Sequence, residues 1–211
     1  MSKLPNKIVN MLKEAANLSQ ANNFLPAKSI YEKLNKKLPA NLDVINNLAL
    51  INARVEDFRT AKKLFEKSLL INKKQLHVID NLTNILIELK DFSYAIKLCN
   101  ESINLFPNNL VTFFNKARAL TGLNETTKAI KNYKIVLKID PAYFLAHQNI
   151  GYILNKLKKY EEAVTHYNKT IELNPKSAMT FYNRGIAQGN LLLFEEAIKS
   201  YKMALEIDIL F

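Results

Sequence analysis

The chain lacks the residues that secreted, β-rich or membrane-spanning proteins depend on. A single cysteine in 211 residues, Cys99, excludes an internal disulfide framework and any cysteine-pair zinc or redox motif, and it fits a reducing compartment. Four glycines and six prolines supply too little turn chemistry for an all-β fold, so helix is the expectation. No stretch approaches about 18 uninterrupted apolar residues, and the N-terminal MSKLPNKIVNMLKEAANLSQ has no continuous apolar segment of the export type. A cytoplasmic protein with no membrane partner is expected. There is also no phosphate-cradling glycine loop, no nucleophile elbow and no HExxH. No enzyme active site, cofactor or metal is expected.

What the chain does have is apolar content, 48%, ample for a buried core, and a formal charge of +11. Only Arg54, Arg59, Arg118 and Arg184 are arginines, and the rest of the positive charge is lysine. Lys, Asn and Ile are all abundant and share A/T-rich codons, which weakens a nucleic-acid reading of the charge.

One period organises the whole sequence. Ala27, Ala61, Ala95, Ala129, Ala163 and Ala197 stand 34 residues apart, alanine in every instance. Four residues after each comes a large or soft side chain: Tyr31, Phe65, Cys99, Tyr133, Tyr167 and Tyr201. Pro39, Pro107, Pro141 and Pro175 share a third column, with Lys73 and Ile209 in the remaining places. A fourth column holds small residues: Ala15, Ala49, Thr83, Ala117, Gly151 and Gly185. The period divides the chain, after a leader of residues 1–7, into blocks 8–41, 42–75, 76–109, 110–143, 144–177 and 178–211.

Within each block the apolar spacing is helical in two segments around a polar break such as Arg54-Val55-Glu56-Asp57 or Lys158-Lys159. Each block therefore reads as a helical hairpin. A small residue facing a large one lets two antiparallel helices approach, with Gly151 and Ala163 making room and Tyr167 filling the space. Proline after the second helix ends it, and Glu161-Glu162 and Glu195-Glu196 suit the N-termini of second helices.

These columns resemble the tetratricopeptide repeat family over residues 8–211, most closely in QNIGYILNKLKKYEEAVTHYNKTIELNP. Tryptophan is absent, Lys73 and Ile209 replace proline, and Glu14, Lys116 and Arg184 stand where the family favours leucine. The resemblance implies an all-α, right-handed superhelical solenoid of six helix-turn-helix repeats, with first helices lining a concave groove and second helices forming the back. It also implies a protein or peptide partner.

On that architecture the charge falls mainly on the back. Lys62, Lys63, Lys67, Lys128, Lys131, Lys134 and Lys138 belong to second helices, whereas the groove carries Arg54, Arg118 and Lys156 against Asp43, Asp80 and Glu88. No basic stripe interleaved with aromatics runs inside, so neither nucleic acid nor an anionic membrane is the expected partner.

The sixth place of each block, on the first helix, holds Asn47, Asn81, Asn115, Asn149 and Asn183, with Lys13 in the first block. Composition alone is a poor explanation for five of six. One role is structural, the amide bonding a neighbouring helix. The other is a ladder facing the groove, where an amide offers a donor and an acceptor to the backbone of an extended peptide. Helices about 8–10 Å apart would set one rung against about every third peptide residue.

The flanking Asn84, Arg118, Tyr152 and Lys156 are the candidates for side-chain contacts. The column is similar to the asparagine ladder of the protein O-linked N-acetylglucosamine transferases. It does not match the carboxylate clamp of chaperone-binding relatives, because the corresponding places hold Asp80, Asn84, Asn115, Leu145 and Asn149.

His77, His147 and His166 lie on different helices without a carboxylate at metal-site spacing, and His147 falls in a packing column. Cys99 reads as a small buried hydrophobe. The sequence ends EIDILF, and the apolar edge expected there leaves three alternatives: these residues fold back, two copies of the chain pair as a homo-oligomer, or the sequence belongs to a longer polypeptide. Two functional classes follow: a scaffold that binds an extended segment of a partner, or the substrate-recruiting module of a larger enzyme such as a glycosyltransferase.

Overall fold

In a computed structural model, which describes residues 4–208, the chain forms twelve helices and no strand among the described residues. They pair as hairpins: α1 (Asn6–Gln20) with α2 (Phe24–Lys37), α3 (Leu42–Arg54) with α4 (Phe58–Ile71), and α5 (Leu76–Glu88) with α6 (Phe92–Leu105). The series continues with α7 (Leu110–Gly122) and α8 (Thr126–Ile139), α9 (Phe144–Lys156) and α10 (Tyr160–Leu173), and α11 (Ala178–Asn190) and α12 (Phe194–Ile207). Every expected hairpin is present and the fold is an all-α helical-repeat solenoid. Of the leader, residues 1–3 lie outside the described part, and α1 already begins at Asn6. Ile209, Leu210 and Phe211, on which the self-pairing edge rested, also lie outside it.

The chain divides into two compact units, one ending at Pro107 and one beginning at Asn108. The division falls two residues before the fourth repeat. In the first unit α2 packs on α3 and α4 on α5; in the second α8 packs on α9 and α10 on α11.

The columns are the core. The alanines at 27, 61, 95, 129 and 163 are fully buried and Ala197 nearly so, as are Tyr31, Phe65, Cys99, Tyr133 and Tyr167 beside them. At Gly151 an added Cβ would lie 2.8 Å from Tyr167 Cε1, and at Gly185 2.6 Å from Tyr201 Cε1. The small column is thus set by how closely the paired helices approach. Where the large residue shrinks to Cys99, its partner column grows to Thr83, and both are buried; volume is kept roughly constant.

The hairpin turns hold a feature that the composition hides. Asn22, Glu56, Lys90, Asn124, Lys158 and Leu192 all have φ near +60°, one per repeat at the 34-residue period. The amide of the next residue donates back to the end of the first helix, as in Asn23 N to Leu18 O (2.8 Å), Asp57 N to Asn52 O (2.8 Å) and Lys159 N to Leu154 O (2.9 Å). This Schellman closure satisfies carbonyls that would otherwise be orphaned. Glycine usually occupies the left-handed position, and here the packing of the two helices enforces it on residues that disfavour it.

The proline column shows the same enforcement. Leu38, Phe106, Asp140 and Asn174, each before a proline, leave the helical region with φ between −129° and −142° and positive ψ, as a following proline favours, and so does Asn72 before Lys73, with φ −144°. There the buried Gln75 amide donates to Ser68 O (3.1 Å), Ser68 Oγ (3.0 Å) and Asn72 O (2.9 Å), while its Oε1 accepts from Asn46 Nδ2 (3.0 Å). The side chain ties the end of α4 to α3 in a repeat whose proline place holds Lys73. Arg184, in a usual leucine place, is similarly accommodated: Nε donates to Ser200 Oγ (3.0 Å) and Nη1 to Asn168 Oδ1 (2.9 Å), and the guanidinium lies over Phe181.

Ion pairs follow the period too. Lys28 meets Asp57 at 3.5 Å and, one repeat on, Lys62 meets Asp91 at 2.9 Å. Each joins a second helix to the N-terminus of the next one. Lys63, Lys128, Lys131, Lys134 and Lys138 remain exposed on α4 and α8.

Candidate functional site

The asparagine column does not behave as one ladder. In the first unit Asn47 on α3 is exposed and Asn81 on α5 half-buried. Asn47 Nδ2 donates to the Asp43 carbonyl one turn back (2.8 Å), which leaves its Oδ1 and one N–H for another group. Asn84 is half-buried and engaged within the fold. In the second unit Asn115 on α7 is only 2% exposed and is also engaged. Its amide is part of the interior. Arg118, one turn on, is half-buried, engaged, and near enough to Tyr133 and Tyr143 to act on both electrostatically.

The rungs further along the second unit are open. Asn149 on α9 is half-buried and donates Nδ2 to Leu145 O at 2.7 Å. Asn183 on α11 is half-buried as well. The two line a common depression of about 330 Å³ with Gln148, Tyr152 and Met179. Tyr152 is exposed, and Lys156 places its ammonium 4.7 Å from the centre of the Tyr152 ring, a cation–π arrangement at the edge of the depression. Tyr182 stands exposed beside Asn183 and 5.8 Å from the Tyr201 ring.

Four of the nine expected site residues, Asn149, Tyr152, Lys156 and Asn183, are therefore gathered in one place on α9 and α11. Asn47, Asn81 and Asn84 belong to the other unit. Gln148, just before Asn149, joins them, and Met179 was not anticipated. Met179 lies one helical turn before Asn183, so the i, i+4 spacing carried a usable signal.

The histidines hold the second unexpected arrangement. His147 on α9 and His166 on α10 bring their Nδ1 atoms to 3.1 Å, with ring centroids 5.2 Å apart. Burial, the neighbouring His147 and Lys134 push His166 down to about 4, against a weaker opposing pull from Glu162. Burial also lowers His147, opposed by a hydrogen bond to the Pro141 carbonyl. Burial thus disfavours the charged form of both rings. Among the described residues no group of three or more His, Cys, Asp or Glu is placed to hold a metal ion, and no helix is long and apolar enough to cross a membrane.

The repeat chemistry finds direct counterparts among known proteins. A tetratricopeptide repeat family model matches residues 111–143, and a second TPR repeat model matches residues 151–191. These two stretches match tetratricopeptide repeat models; the second contains Tyr152, Lys156 and Asn183, and Asn149 lies two residues before it. Among solved structures the chain is similar to PilF of Pseudomonas aeruginosa, at 17% identity and a TM-score of 0.77, covering 94% of this chain and 90% of that one. It is similar to MamA of Desulfovibrio magneticus RS-1, at 15% identity and a TM-score of 0.76, covering 83% and 99%. YrrB, described as a TPR protein with an unusual peptide-binding site, aligns at 17% identity and a TM-score of 0.62, covering 84% and 92%. At these identities the likeness is one of fold. No curated protein matches the chain in sequence, and none of these relatives supports the likeness to O-linked N-acetylglucosamine transferases.

Proposed function

We propose that the chain is a protein-interaction scaffold that holds an extended segment of a partner protein against the first-helix face of its second unit. The observation that carries this reading is the shared depression of Asn149, Asn183, Gln148, Tyr152 and Met179. Amides on successive first helices offer donors and acceptors to a peptide backbone, while Tyr152, Lys156 and Met179 supply apolar and cationic contacts that depend on the partner's side chains. Two rungs at about 0.5–1.5 kcal/mol each, plus the exposed Tyr152 ring and Met179 thioether that a bound peptide would cover, support binding in the weak, reversible range once ordering costs are subtracted. Asn47 and Asn81 offer the same chemistry in the first unit. The partner is a protein; neither nucleic acid nor a membrane is invoked, no catalysis is assigned to these residues, and the scaffold acts in the cytoplasm.

Selection of peptides from a random library against the full chain, followed by fluorescence anisotropy, tests the reading. The Asn149→Ala/Asn183→Ala variant should bind a selected peptide roughly 5-fold to 150-fold more weakly at an unchanged melting temperature. N-methylation of the peptide at alternate positions should weaken binding irrespective of side chain. Unchanged affinity in the variant, with binding mapped to the second-helix face, would overturn it.

A further inference from the structure

Outside the open rungs, one cluster has donor atoms already converged. Nδ1 of His147 and Nδ1 of His166 are 3.1 Å apart across the α9–α10 hairpin. Two nitrogens that each bind one ion at about 2.0–2.1 Å lie about 2.9 Å apart at a right angle and about 3.3–3.4 Å apart at the tetrahedral angle. The observed separation falls between these values. A bound ion would replace the contact between the two rings.

The surroundings suit that exchange. The Pro141 carbonyl lies near the His147 ring and favours its protonated form, against the larger effect of burial. The pair opens into a depression of about 420 Å³ lined by Thr165, Asn168, Lys169 and Glu172. The charges facing it nearly cancel. Lys134 comes from α8, and on α10 Lys169 pairs with Glu172 at 2.8 Å and Glu162 with Lys159 at 3.0 Å. None of the residues around it lines the Asn149–Asn183 depression.

We propose that His147 and His166 form a two-imidazole site for a borderline transition-metal ion of the Zn²⁺ or Cu²⁺ class, with the remaining coordination positions open to water or to a donor from a bound partner. Imidazole nitrogen favours these ions over the hard Mg²⁺ and Ca²⁺. With two protein ligands the site is open rather than closed, which is the form that accepts an exogenous ligand.

Isothermal titration of the full chain with ZnCl₂, and electron paramagnetic resonance of the chain with one equivalent of Cu²⁺, test the proposal. One ion should bind per chain, with the Cu²⁺ spectrum showing coupling to two nitrogens. His147→Ala and His166→Ala should each weaken binding by roughly tenfold or more, and His77→Ala should leave it intact. Circular dichroism checks the fold, and His147→Gln keeps a polar group on the buried ring's site if the alanine variant does not fold. No 1:1 binding, binding that survives in either single variant, or binding lost with His77 would overturn the proposal.

Discussion

Adding one methyl group at two glycines of neighbouring repeats should have opposite effects. At Gly151 the new Cβ would stand 2.8 Å from Tyr167 Cε1 and 3.0 Å from Cδ1, well inside van der Waals contact. Tyr167 is fully buried, so its ring has no free direction to move. Overpacking of this kind costs about 1–3 kcal/mol, offset by up to about 1 kcal/mol because alanine is the better helix former. The net loss is about 1–2 kcal/mol, which for a chain of this size lowers the melting temperature by about 2–8 °C.

At Gly189, near the end of α11, nothing lies within 4 Å of an added Cβ. Only the helix-propensity gain remains, about 0.5–1 kcal/mol, or about 1–4 °C upward. Gly185 should fall between them. Its Cβ would be closer to a ring, 2.6 Å from Tyr201 Cε1, but Tyr201 is only half-buried and can yield. Thermal unfolding followed by circular dichroism reads all three. A double variant locates the cause, because Tyr167→Phe should not rescue Gly151→Ala, since ring carbons make the contact, whereas Tyr167→Cys should show strong favourable coupling, as the Thr83–Cys99 combination suggests. A Gly151→Ala protein as stable as the parent would refute this account of the small column.

Three further outcomes are expected. Leu192→Gly should raise stability by about 0.5–1 kcal/mol, because a non-glycine residue at φ 62° pays about 1–2 kcal/mol and the exposed side chain loses no burial; a lower melting temperature would contradict the strain. Asn115→Ala should cost about 1–3 kcal/mol in urea unfolding, since the amide is buried and engaged, whereas Asn149→Ala should cost little. Burial pushes Tyr133 up to about 12, above the unfolded value near 10, so its contribution is fully present below pH 10 and is lost as pH rises from 10 to 12. The loss is at most about 3 kcal/mol, and Tyr133→Phe should flatten that part of the alkaline stability profile. Its hydroxyl has no hydrogen bond of good geometry among the described residues, so the phenylalanine variant should itself be little destabilised at pH 7.

Much of the fold was legible because a repeat writes the same physical demand several times. Alanine in all six instances of one column, with a large residue four places on, could only mean helices meeting at a repeated contact, and the buried Ala27, Ala61, Ala95, Ala129 and Ala163 confirm it. The site was legible in part. Asn149, Tyr152, Lys156 and Asn183 gather where first helices are adjacent, but nothing in the identical residue type at Asn115 signalled that its amide is closed off. Burial of a rung depends on the positions that vary from block to block. The left-handed turn residues were hidden as well, since the chain has almost no glycine to mark them.

By itself, then, the sequence determined the number, length and pairing of the helices, because periodic apolar and small residues admit one way of burying their faces. Only the tertiary structure decided which asparagines meet solvent, which turns carry left-handed strain, and that His147 and His166, 19 residues apart on two helices, bring their Nδ1 atoms to 3.1 Å. Those properties arise between elements, where distance along the chain carries no information about distance in space.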